Sequence, residues 1–118
     1  MRVSQKNINK NLQKEILEIF FQLIADIKNL QESKILLEDL LTKSEVEAIA
    51  KRIAVASYLG KNRSYQNIKD NLKVSSATIA TVDKQRKTKG YQLALKKIEA
   101  DRWASEWSNK IEGLFKKK

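Results

Sequence analysis

Between Ser64 and Lys87 short hydroxyl side chains sit among long cations at helical spacing. Ser75, Ser76, Ala77, Ala80, Thr81 and Lys84 would share the outer face of one short helix. Small residues let a helix backbone approach base edges closely, and Ser and Thr hydroxyls can donate or accept there. Around them lie Ser64, Tyr65, Gln66, Lys69, Lys73, Arg86 and Lys87, residue types that bind phosphate oxygens and set register without reading sequence. The chemistry is recognition of a polyanion.

Two apolar residues, a turn residue and two more apolar residues would position that face. Ile68 and Leu72 are one helical turn apart, Val74 falls in a turn, and Ile79 with Val82 would line the inner side of a second helix. This is the packing pattern of a helix-turn-helix. Two positions depart from the common form: Lys73 holds the turn position often given to Gly, and Lys69 stands where a small residue is usual. Lys can adopt a left-handed turn at a modest strain cost.

Charge coincides with pattern. The chain has 118 residues and a formal charge of +10. Residues 61 to 90 alone hold 8 Lys/Arg against 2 Asp/Glu, a local excess of +6. Such a surface releases condensed counterions from a phosphate backbone. The alternative is a merely solubilising face.

Composition closes other routes. With no Cys and no His there is no disulfide framework, no zinc finger, no Ser-His or Cys-His nucleophile pair, and no metal or cofactor is expected. The carboxylates are scattered, and Asp83 beside Lys84 reads as a surface pair, so no catalytic constellation supports an enzyme. Residues 1 to 15 lack the apolar segment of a signal peptide, and no apolar run is long enough for a membrane span, so a cytoplasmic, nucleoid-associated protein is expected.

The remaining elements read as helices, giving a single all-α domain over 1–118: dimerisation helices over 1–41, a core helix plus the helix-turn-helix over 42–88, and a C-terminal helix with a basic tail over 89–118. From Ile8 to about Leu30 apolar residues recur at Leu12, Ile16, Ile19, Phe20, Leu23, Ile24 and Ile27, with Leu17 and Phe21 on a neighbouring face. So wide a stripe suggests a homodimer contact, unless a compact monomer buries both faces itself. Ser33 would open a short helix through Leu41. Thr42 with Glu45 is a capping-box spacing for the next, carrying Val46, Ala48, Ile49, Ile53, Ala56 and Leu59 to a left-handed stop at Gly60. A helix should begin at Ser64, and a last one should run from Tyr91 past Trp103 and Trp107, a packing pair, to about Gly113 before Lys116, Lys117 and Lys118.

Four blocks resemble the Trp repressor superfamily, in its TrpR-related YerC/YecD branch. They are the Leu40-Leu41-Thr42 … Glu45 … Arg52 run, Ser64-Tyr65-Gln66-Asn67-Ile68, Ser75-Ser76-Ala77-Thr78-Ile79-Ala80, and Lys89-Gly90-Tyr91-Gln92-Leu93-Ala94-Leu95. Together they span roughly residues 35 to 100. The resemblance implies an all-helical bundle forming an intertwined dimer, with two reading heads in successive major grooves of a palindromic operator on double-stranded DNA. It places Ser76, Ala77 and Ala80 on bases, and Tyr65, Gln66 and Lys69 on phosphate.

The resemblance also implies a candidate effector pocket at Thr42, Arg52, Thr81 and Val82. Arg52 matches the first of two family arginines and Thr42 a pocket residue, but Thr81 replaces the second arginine and Val82 a glycine. Losing a guanidinium and filling the indole slot both argue against L-tryptophan. Arg52 is then expected to be structural, phosphate-facing, or paired with Glu45 or Glu47. The sequence thus points to a sequence-specific, DNA-binding transcriptional repressor. Its rivals are a non-specific architectural protein and a helical scaffold that binds no nucleic acid.

Overall fold

The computed structural model describes residues 8–116, with side chains through Arg102. Lys117, Lys118 and the side chains of Trp103, Trp107 and Lys116 lie outside the described residues. Among the described residues six helices follow one another: α1 (Lys10–Ala25), α2 (Leu30–Leu40), α3 (Lys43–Gly60), α4 (Tyr65–Leu72), α5 (Ser76–Gln85) and α6 (Lys89–Lys116). The described residues contain no strand, so the all-α expectation holds. They fall into two compact units, the first ending at Thr42 and the second beginning at Lys43.

In the first unit the expected single helix to Leu30 is broken after Ala25. Gln22 Nε2 donates to Asp26 Oδ1 at 2.9 Å, and Asn29 caps the next helix by accepting from Glu32 N at 2.9 Å. Glu32 Oε1 in turn accepts from Lys28 N at 3.1 Å, a reciprocal arrangement that restarts the helix at Leu30. Ser33 therefore lies in the first turn of α2 and does not open it; its hydroxyl donates to Leu30 O at 2.7 Å. Neither α1 nor α2 contains a buried residue.

The second unit holds the core. Val55, Ala56 and Leu59 of α3, Ile68 of α4, and Ile79 and Val82 of α5 are buried, with Tyr58, Leu72, Val74, Tyr91 and Leu95 packed around them. The five expected helix-turn-helix residues all join this cluster. On α3 the buried face differs from expectation, because α4 and α5 pack on its C-terminal half: Val55 is fully buried while Ala48 and Ile49 stay exposed.

Gly60 is not the left-handed stop. Leu59 must reach the core, so the helix continues through Gly60, and the positive φ falls on Asn62 at 61°. Asn tolerates this region better than most residues. The reversal is closed by Asn62 N donating to Leu59 O at 3.0 Å and Arg63 N to Tyr58 O at 3.2 Å. At the far end, α6 starts at Lys89, before Tyr91, and continues through Gly113 to Lys116. Among the described residues no helix is long and apolar enough to cross a membrane.

Candidate nucleic-acid interface

Ser64 sets the entry angle of α4: its hydroxyl accepts from Asn67 N at 3.1 Å. The helix ends at Lys73, which adopts the left-handed conformation (φ 55°, ψ 49°) and donates its N–H to Lys69 O at 3.0 Å. The turn that often carries Gly is thus made by Lys. Val74 follows against the core, and Ser75 starts α5 by accepting from Thr78 N at 3.1 Å. Ser75 Oγ and Thr78 Oγ1 also share a hydrogen bond at 3.0 Å.

With Ile79 and Val82 held inward, the opposite side of α5 is exposed. Ser75, Ser76, Ala77, Ala80, Thr81 and Lys84 all lie on it. Their chemistry is not equal. The Ser75 hydroxyl is engaged at the cap, and Thr81 Oγ1 donates to Ala77 O at 3.0 Å, which leaves its lone pairs to accept. The Ser76 hydroxyl makes no hydrogen bond among the described residues and is exposed, so it can both donate and accept.

Of the flanking residues, Tyr65, Arg86 and Lys87 line one cleft with Ala80, Thr81 and Lys84 of this face. Tyr65, Gln66, Lys69, Lys73 and Lys87 are exposed, and Arg86 is half-buried. Lys69, Lys73, Lys84 and Lys87 form no ion pair among the described residues, whereas Gln66 Nε2 donates to Asp70 Oδ1 at 2.8 Å. The expected pair between Asp83 and Lys84 does not form. Asp83 Oδ2 accepts from the Tyr65 phenol at 2.8 Å, and Asp83 Oδ1 from Arg86 Nε at 2.8 Å. These distances are ideal for both donors, and geometry at α5's last turn aims the carboxylate sideways toward α4. The Tyr65 bond, then the Arg86 bond, holds the Asp83 carboxyl below its ordinary range, while the same contact raises the Tyr65 phenol. A cleft of about 630 Å³ opens here, lined by Tyr65, Ala80, Thr81, Asp83, Lys84, Arg86 and Lys87.

Sequence spacing missed Asp83 as part of this surface. Its i,i+3 relation to Arg86 was a local signal, but the bond to Tyr65 joins residues 18 apart and needs the folded hairpin.

Three of the four candidate pocket residues come together. Arg52, Thr81 and Val82 line a cleft of about 380 Å³ with Ala77, Thr78 and Gln85. Thr42 is not among its lining residues. Val82 is 1% exposed, so its isopropyl group is committed to the core and closes the cleft floor. Arg52 forms no ion pair with Glu47; it is exposed, and also borders a cleft of about 410 Å³ with Ile49, Ile53 and Tyr91. No cluster of acidic, His or Cys residues suited to a metal occurs among the described residues.

Comparisons with known proteins agree on one lineage. The family model for the Trp repressor protein matches residues 15–99. The chain is 29% identical over 85 residues to the uncharacterized protein YerC of Bacillus subtilis (strain 168), a match covering 70% of this chain and 82% of that protein. Its fold is similar to a crystal structure of a TrpR like protein from Eubacterium eligens ATCC 27750, with a TM-score of 0.69 and 29% identity over 77% of this chain and 96% of that one. Since the family model spans most of the chain, from the middle of α1 into α6, the protein belongs to the Trp repressor family.

Proposed function

We propose that the protein is a homodimeric, sequence-specific DNA-binding transcriptional repressor, without catalytic activity, which inserts α5 into the major groove of double-stranded DNA. The observation that carries this reading is the exposed outer face of α5, small and polar from Ser75 to Lys84, with Arg86 and Lys87 beside Ala80, Thr81 and Lys84 in one cleft. Ser76, Ala77 and Ala80 meet bases, with Ser75, Thr81 and Lys84 at the edges; Ser64, Gln66, Lys69, Lys73, Arg86 and Lys87 meet phosphate, while the Tyr65 phenol keeps its one proton on Asp83. Exposed Ile16, Leu17, Ile19, Phe20 and Phe21 on α1 support dimerisation, since a single chain leaves them in water. In such a dimer the two recognition helices would lie about 34 Å apart, one turn of B-DNA.

The Arg52 cleft is the place for any effector. It offers one guanidinium and a floor filled by Val82, which disfavours L-tryptophan.

Selection of bound fragments from a random duplex pool tests the reading. A two-fold symmetric consensus is expected, with affinity falling about a thousandfold between about 50 and 200 mM salt. Retention of DNA without an enriched sequence would favour an architectural role, and no retention at low salt would favour a scaffold.

A further inference from the structure

We propose that Asp83 is a positioning residue for phosphate capture, its single carboxylate fixing Tyr65 of α4 and Arg86 beyond α5 in a preformed anion cleft. The inference rests on the DNA-binding reading. An acidic group on a face of cations should, by charge alone, weaken attraction for a polyanion. Here the carboxylate is spent on both sides: Oδ2 receives the Tyr65 phenol and Oδ1 receives Arg86 Nε, each at 2.8 Å. The Arg86 backbone is tied down as well, with its N–H donating to Val82 O at 2.8 Å and its carbonyl accepting from Gln92 Nε2 at 2.6 Å.

Only Nε of the guanidinium is engaged. The two terminal nitrogens make no hydrogen bond among the described residues, and the cleft lined by Arg86 is also lined by Lys84, Lys87 and Thr81. Arg binds phosphate through paired N–H groups in a fixed plane, and a side chain already held in place loses less freedom on contact. The carboxyl stays ionised because both donors hold its titration below the ordinary carboxylate range. One carboxylate therefore orders a cation across the two helices, and the ordering outweighs the charge.

Fluorescence anisotropy of the full chain with a mixed-sequence duplex, repeated over a series of salt concentrations, tests this. Asp83→Ala raises the net charge by one, yet binding should weaken about tenfold, and the salt slope should shrink by about one as the Arg86 contact is lost. Tyr65→Phe should weaken binding in the same sense, and Asp83→Ala should cost clearly less in an Arg86→Ala background than in wild type. If Asp83→Ala melts early, Asp83→Asn carries the same comparison. Equal or tighter binding by folded Asp83 variants, with wild type bound, would overturn the positioning role and leave the DNA-binding reading standing. Failure of the wild type to bind would instead overturn both.

Discussion

Asp83 is ionised well into the acid range because two donors converge on it, Tyr65 first and Arg86 second. A carboxyl whose folded pKa is depressed adds stability that is complete above its unfolded value of 3.8 and disappears as pH falls through the folded value. Thermal melts of wild type and Asp83→Asn should therefore differ by a constant amount from neutral pH down to about pH 4, and converge as the pH falls further, through the depressed folded value. An offset unchanged in acid would mean that the carboxylate does not brace α4 against α5. Tyr65 works in the opposite direction: its pKa is raised above 10.0, so the phenol remains a donor until strongly alkaline pH.

At the scale of elements, the helix-turn-helix was legible because its determinants are local. Ile68, Leu72, Val74, Ile79 and Val82 are close in sequence, and each reaches the core that their spacing requires. The break between α1 and α2 was not legible from periodicity, since Ile24, Ile27 and Leu30 continue the apolar rhythm through it. Polar capping by Asn29 and Glu32 decides the boundary. Gly60 misled for a related reason: glycine permits a left-handed residue but does not require one, and Asn62 takes that conformation. A Cβ on Gly60 would meet nothing within 4 Å and the residue is helical. Gly60→Ala should consequently stabilise the fold by about 0.5–1 kcal/mol in denaturant titration. A loss of about 1 kcal/mol would restore the left-handed stop. The Tyr65–Asp83 contact lay beyond local reading for a third reason, because only tertiary folding brings the two residues together.

For the whole molecule, the question raised by the first unit is what covers α1. Phe20 is 45% and Phe21 63% exposed, with ring centroids 5.7 Å apart. In a two-fold contact every residue counts twice. If each Phe21 ring contributes about 2 kcal/mol of burial, Phe21→Glu should weaken dimerisation about a thousandfold. Sedimentation equilibrium reads this directly; a wild type that stays monomeric at all concentrations contradicts the dimer. On the proposed function, paired reading heads would depend on α1 and base recognition on α5. The most direct test of that recognition compares Lys69→Ala with Ala80→Leu on a pool-selected duplex and a mixed-sequence one. Lys69→Ala should lower both affinities by the same factor, whereas Ala80→Leu should change the ratio between them. If both substitutions act alike on the two duplexes, the outer face of α5 does not read bases.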